Sequence, residues 1–311
     1  MKRFRNILVS VDSRAEALPA LDWGVKLAEQ FGSRLTVVDT VPDFPWYLQL
    51  ALTEHEHVRE LLLHERRELL AGWVQPLKER GLAVNAEVLV GRTSTQLIGE
   101  VQRGGYDLVI RVSKGTASRR SGFLGTTSMK LLRKCPCPVW IVKPEPQPSF
   151  KCVVAAIDPV TRDPEHQELN ERILTLAGSI CEAQQGALQV VHVWSIYGET
   201  LLRPRASTEE WDRVEASILS DVEESLAETL APHGIPLRDP RVNIVRGEPG
   251  VEIPRFVRDR AADLLVMGTV GRSGVAGALM GNTAEMILNS VDCGVLALKP
   301  SAFTCPVSAD A

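Results

Sequence analysis

The chain has 311 residues, 44% of them hydrophobic and 24% charged, with 35 Lys and Arg against 39 Asp and Glu. That length suits two domains, and the composition excludes a disordered acidic chain, a collagenous chain and a coiled-coil rod. A net charge of −4 gives no reason to expect a general nucleic-acid binder.

No apolar run approaches the roughly 18–20 residues of a membrane helix. The apolar stretch after the basic start, Met1 to Arg5, ends at Asp12, too soon for a secretory signal. A cytoplasmic chain with reduced cysteines is therefore expected, with no membrane partner.

In chain order, the first apolar run, Ile7 to Asp12, reads as a strand closed by a carboxylate. A helical stretch then carries His57, Glu60 and His64 at metal-compatible spacing, although a solvated helix with ordinary ion pairs explains the same letters. Further on lies a basic stretch with Arg111, Lys114, Arg119, Arg120, Lys130, Arg133 and Lys134. It reads either as a solvated loop and helix face or as a surface for anions or partners. Cys135 and Cys137 lack a second close Cys or His pair, so no zinc template forms and no metal site is expected. After a strand at 139–142, residues 143–149 alternate proline with polar residues and can continue neither a central strand nor a helix. This seam divides the chain into domains at 1–147 and 148–302, followed by a loose tail at 303–311.

The second domain alternates strand and helix throughout. Strands are expected at 152–157, 188–193, 242–245, 264–267 and 295–298, the first as a continuous apolar run covered on both faces. Helices are expected at 168–181, 208–230, 251–260 and 283–288. Such alternation implies right-handed crossovers and a parallel sheet with helices on both faces. Ligands in such a sheet sit beyond the carboxyl ends of the strands, where the strand order reverses.

The halves are copies. Shifting the numbering by 156 aligns residues 88–144 with 244–300 without a gap, matching Gly91 with Gly247, Asp107 with Asp263, Gly125 with Gly281, Thr127 with Thr283, Cys137 with Cys293 and Lys143 with Lys299. The upstream parts match at slightly smaller shifts, with Asp12 against Asp158.

After the fourth strand of the second copy come Gly268, two residues, Gly271, nine residues, Gly281, then Asn282 and Thr283. Glycines at 268 and 271 would let the backbone approach a phosphate chain and turn with φ > 0. Residues 281–283 open a helix whose unpaired N–H groups and dipole favour an anion. Asn282, Thr283 and Ser273 could add hydrogen bonds to phosphate oxygens, and Arg272 a charge-assisted one. Two plainer readings stay open: Asn282 with Glu285 fits a capping box, and Gly274 and Gly277 fit a merely flexible loop. No P-loop, nucleophile elbow or zinc helix is present, so the sequence supports binding more than catalysis.

The glycine spacing, the tandem copies, the strand-end aspartates and the closing Lys-Pro together resemble the universal stress protein superfamily. The duplicated layout is similar to the two-domain E-type members of proteobacteria. The resemblance implies two tandem, doubly wound, five-stranded parallel-sheet domains, Rossmann-like and of the adenine nucleotide alpha hydrolase type. It implies ATP or a related nucleotide in the second domain, with Mg only as a companion of ATP. Ile157, Asp158, Val193 and Met267 would then lie at the base or ribose, and Gly268, Thr269, Gly271, Arg272, Ser273, Gly281, Asn282 and Thr283 along the phosphates. Binding would serve as a sensor or switch in stress survival, with slow ATP hydrolysis at most. The alternative is a nucleotide-independent stress protein acting through another ligand or through protein partners. Family members pair through their last strands, here 139–142 and 295–298, so a duplicated chain would form an internal pseudo-dimer. A further homodimer is left open.

The first copy has departed from the pattern. Val112, Ser113 and Lys114 stand at the positions of Gly268, Thr269 and Val270, and a β-branched valine blocks close approach of a phosphate. Asp12, Gly115, Gly125, Thr126 and Thr127 remain as a weaker site. The charges have separated as well: residues 1–147 carry 21 Lys and Arg against 16 Asp and Glu, a net of +5, whereas the rest carry 14 against 23, a net of −9. That asymmetry is consistent with docking of the halves on each other.

Overall fold

Runs such as Asn6–Ser10 and Cys152–Ala156 are buried on both faces, as strands of a helix-covered parallel sheet must be. The computed structural model describes residues 4–44, 55–113, 124–145, 147, 149–160, 163–270 and 280–308. The first half runs β1 (Asn6–Ser10), α1 (Pro19–Phe31), β2 (Arg34–Val41), α2 (His55–Glu79), β3 (Val84–Val90), α3 (Thr93–Gly104), β4 (Leu108–Val112), α4 (Thr126–Lys134), β5 (Val139–Val142). The second half repeats the series as β6 (Cys152–Ala156), α5 (Pro164–Gln184), β7 (Ala187–Trp194), α6 (Thr208–Leu230), β8 (Val242–Arg246), α7 (Pro249–Asp259), β9 (Leu264–Gly268), α8 (Asn282–Ser290), β10 (Gly294–Leu298). Among the described residues no helix is long and apolar enough to cross a membrane.

Local chemistry sets the helix ends. Ser207 accepts a hydrogen bond from the Glu210 N–H at 3.2 Å while Glu210 accepts one from the Ser207 N–H at 2.9 Å, a capping box that starts α6 where expected. α5 starts four residues earlier than its apolar periodicity suggests, because Asp163 caps it ahead of Pro164. Gly91 and Gly247, counterparts just before α3 and α7, adopt φ of 124° and 145°, which side chains rarely tolerate.

All ten strands form one sheet in the order β3-β2-β1-β4-β5-β10-β9-β6-β7-β8. Each half is parallel within itself, and the order reverses between β1 and β4 and again between β6 and β9. β5 and β10 join the halves antiparallel. Trp140 faces Leu296, its own counterpart under the 156-residue shift, with Val139 opposite Ala297 and Ile141 opposite Val295. This is the self-complementary pairing of a two-fold dimer, built inside one chain.

Helices α1, α2, α5 and α6 cover one face of the sheet and α3, α4, α7 and α8 the other. Both apolar layers continue across the seam. There Trp23 of α1 stacks on Phe150 at 4.2 Å between ring centroids, and Trp140 tilts against both. All three rings are fully buried, each contributing roughly 1.5–3 kcal/mol by leaving water.

Opposite charge plays a smaller part at this junction than the asymmetry of the halves suggests. Among the described residues one ion pair crosses it, Arg133 with Glu285, and both side chains are about 40% exposed. The end of the chain also departs from the expected loose tail. Gln102 Nε2 donates to the Val307 carbonyl at 3.1 Å, and the Cys305 thiol to the Lys134 carbonyl at 3.3 Å. Cys305 and Val307 cover apolar surface of the α3 and α4 layer, which holds the segment down.

Candidate functional site

In the second half, the carboxyl ends of β6 and β9 meet at the strand-order reversal. Ile157 and Asp158 follow β6, and Asp158 is held by a buried side chain of α5. Asn170 Nδ2 donates to the Asp158 carbonyl at 2.8 Å, and its Oδ1 accepts from the Asp158 N–H at 3.0 Å. The buried ring of His192 places Nδ1 3.0 Å from the Ile157 carbonyl. The half-buried Asp158 thus stands on a rigid frame. Asn170 escaped the sequence reading; the signal was a polar letter inside the apolar stripe of Leu169, Ile173 and Leu176.

Beyond β9 the chain makes a pinched excursion. The Thr269 N–H donates to the Leu298 carbonyl at 3.0 Å, the Gly281 N–H donates to the Thr269 carbonyl at 3.1 Å, and Val270 bridges to Met280. Gly271, Arg272 and Ser273 fall outside the described residues, as does Gly115 in the first half. Helix α8 then starts on Gly281, with no side chain capping it and with Asn282 and Thr283 exposed in its first turn. Its leading N–H groups form an anion-favouring terminus at the switch point.

Several expectations change. Gly268 does not use a positive φ; it packs closely on α5, where an added Cβ would lie 2.8 Å from Leu169 Cδ2 and push that side chain aside. Gly281 is extended, with φ −62° and ψ 144°. Asn282 is the first helical residue rather than the cap, and Glu285 reaches Arg133 across the seam, so no capping box forms here. Thr269 is buried, and its hydroxyl donates to the Leu298 carbonyl at 3.3 Å, which commits it to the neck. Ile157 packs in the layer of α5 and α6, whereas Val193 and Met267 pack in that of α7 and α8.

The first half keeps the neck: the Gly125 N–H donates to the Ser113 carbonyl at 2.9 Å, and Thr126 and Thr127 open α4. Around it the chemistry differs. Asp12 is gripped by Arg14 through Nε at 2.9 Å and Nη2 at 3.1 Å. Asp39, buried at the end of β2, accepts from the Ser13 N–H at 3.2 Å, the Ser13 hydroxyl and the Thr40 N–H at 2.7 Å, and Arg66 donates to Ser13. Arg111, read from the sequence as part of either a solvated loop and helix face or a surface for anions or partners, sits in β4, where its Nη1 donates to Ser10 Oγ. Burial pulls its pKa down, against the opposing pull of Asp12 and Asp39. Beside these strand ends lies a cavity of about 300 Å³, lined by Ser10, Val11, Asp12, Ala20 and Val112 among others.

No group of three or more His, Cys, Asp or Glu side chains converges for a metal among the described residues, and His64 pairs with Glu68 at 3.3 Å. The six cysteines are free; Cys135 and Cys137 bring their sulfurs to 3.7 Å. Lys299 is buried, which pushes its pKa down to about 8, and its Nζ lies 5.0 Å from the centroid of the Phe303 ring.

Comparison with known proteins places this architecture. The model of the universal stress protein family matches residues 3–143 and again 150–299. Universal stress protein E of Escherichia coli K12 is 27% identical over 316 residues, covering 100% of this chain and 98% of that one. A functionally unknown protein from Pseudomonas aeruginosa PAO1 superposes with a TM-score of 0.75 at 25% identity, covering 96% of this chain and 94% of that one. A universal stress protein from Archaeoglobus fulgidus shares the fold, with a TM-score of 0.62 at 18% identity over 94% of this chain and 98% of that one.

Proposed function

The chain belongs to the universal stress protein family, as a tandem of two such domains, and from that premise we propose that its second half binds ATP or a related nucleotide. The observation that carries this reading is the bare start of α8. A helix whose first turn no side chain caps, set at the switch point beside Asp158, is arranged to receive a phosphate chain. Mg would enter only with the nucleotide. Asp158, its backbone clamped by Asn170, suits a group that orients a base or ribose. We read the site as a sensor or switch in a cytoplasmic stress-response protein rather than as a centre of turnover.

Isothermal titration with ATP tests this. Wild-type protein should take up one nucleotide per chain, and Thr283→Glu, which sets a carboxylate in the first turn of α8, should lose at least tenfold in affinity. Unchanged affinity in that variant would refute the site.

A further inference from the structure

Residues 135–138 read Cys-Pro-Cys-Pro and link α4 to β5, and this short connection sets two thiols side by side. Their sulfurs stand 3.7 Å apart; Cys135 is fully buried and Cys137 nearly so. The corresponding stretch of the second half holds Val291 and Cys293, so the first copy alone carries the pair. Close enough to bias both thiols is Lys299, just beyond β10, whose buried Nζ has no hydrogen-bond partner among the described residues. A buried ammonium calls for an anion, and the ionisable groups that act on this one are the thiols of Cys135, Cys137 and Cys305.

We propose that Cys135 and Cys137 form a redox-active dithiol that a small hydroperoxide converts to a disulfide, with Lys299 holding Cys135 as the thiolate. The asymmetry of the pair assigns the roles. A hydrogen bond from the Cys137 thiol draws Cys135 below the ordinary thiol range against the cost of burial, and the Lys299 charge adds to the pull. The same bond, together with burial, pushes Cys137 well above that range. Cys135 is therefore the nucleophile and Cys137 the resolving thiol.

The chemistry closes on these three side chains and the peroxide. The Cys135 thiolate attacks one peroxide oxygen, the O–O bond breaks, and the departing hydroxide takes a proton from Lys299 to leave as water. Cys137 then attacks the sulfur of the resulting sulfenic acid, the S–O bond breaks, and the Cys137 proton leaves with the hydroxide as a second water. The dithiol gives two electrons to the peroxide. Lys299 is left neutral, the form that burial favours for a lysine with a pKa of about 8. The cover over this layer is the end of the chain, where Cys305 and Val307 pack on it beside the Gln102–Val307 and Cys305–Lys134 hydrogen bonds. So covered a site suits a small oxidant rather than a bulky disulfide. The proposal does not depend on nucleotide binding in the second half.

Treatment of the reduced full chain with hydrogen peroxide at pH 7, followed by alkylation and peptide mass spectrometry, tests the proposal. The Cys135–Cys137 disulfide should form at least tenfold faster than Cys181 or Cys293 is oxidised, two thiols that burial pushes up to about 12. It should reverse with dithiothreitol. Cys137→Ser should halt the reaction at a sulfenic acid on Cys135, trapped by dimedone. Lys299→Met should slow disulfide formation at least tenfold at pH 7 and less at pH 10, where the thiol ionises unaided, and Lys299→Arg should restore part of the rate. Cys135→Val, which installs the residue of the second half, should abolish the fast reaction, whereas Cys305→Ser should leave it in place. Lys299→Met remains informative if a cysteine change disturbs folding. Preferential oxidation of Cys305, a pair oxidised no faster than Cys293, absence of the dimedone adduct in Cys137→Ser, or an unchanged rate in Lys299→Met at pH 7 would each overturn the proposal.

Discussion

The two halves share their scaffolding and differ at their switch points. Asp107 accepts from the Arg5 and Asn6 N–H groups at 2.6 and 3.1 Å, and its counterpart Asp263 accepts from Lys151 and Cys152 at 2.6 and 3.0 Å. Both copies also keep the positive-φ glycine before their third helix and the hydrogen bond that closes the loop neck. These contacts satisfy backbone groups that every copy of the fold must satisfy. The Ser10–Arg111 and Ala156–Met267 positions carry no such duty, so one copy could turn polar while the other stayed apolar. Duplication kept what holds the sheet and released the side chains at the strand ends of the switch points.

The largest effect that would sharpen this comparison lies at the seam. Trp140→Ala should lower the unfolding free energy by about 3–5 kcal/mol in urea denaturation, because the ring is fully buried between Trp23 and Phe150. Its partner change Leu296→Ala should cost about 2–5 kcal/mol, and a clearly larger loss at Leu296 would contradict an aromatic centre of gravity at the seam.

Next come the closing lysines. Lys299 releases its proton more readily folded, at about 8, than unfolded, at 10.5. Its burial therefore costs stability fully below pH 8, and that cost fades as pH rises towards 10.5. Lys299→Met should stabilise the protein by up to about 3 kcal/mol at pH 7, with the gain shrinking by pH 10. The half-buried counterpart change, Lys143→Met, should stay within about 0.5 kcal/mol. A gain at Lys299 that is independent of pH would break the argument.

Gly268→Val places in the second half what the first already carries. It should destabilise by about 1–3 kcal/mol, since its Cβ meets Leu169. Val112 is accommodated in the first half because it borders the cavity. Thr283→Glu should raise stability by about 0.3–1 kcal/mol through the α8 dipole while removing ATP binding, a pairing of gain and loss that calorimetry can read in one sample. Arg133→Ala should cost no more than about 1 kcal/mol, as expected of a half-exposed ion pair. A larger loss would mean that charge does hold the halves together.

Much of the fold was legible in the letters. Apolar runs located the strands to within a residue or two, and the family resemblance implied pairing of the last strands, whose register, Trp140 opposite Leu296, the structure supplies. Helix starts were less legible where Asp163 and Gly281, rather than the apolar stripe, decided them. At the site, the glycine spacing drew attention to the segment after β9, but not to the packing of Gly268 against Leu169, which comes from a helix about 100 residues earlier. Asn170 and Arg111 stayed hidden because their roles depend on groups 12 and 101 residues away.

By itself the sequence determined the duplication, the alternation of strand and helix and hence the parallel sheet, because periodicity and repeat spacing are local or self-referential properties. Only the tertiary structure decided that the basic residues of the first half divide into a seam contact, Arg133, and a strand residue bonded to Ser10, Arg111. It also decided that the last residues pack on the opposite half. Charge and burial belong to positions in space, and a residue acquires them only when distant parts of the chain are brought against it.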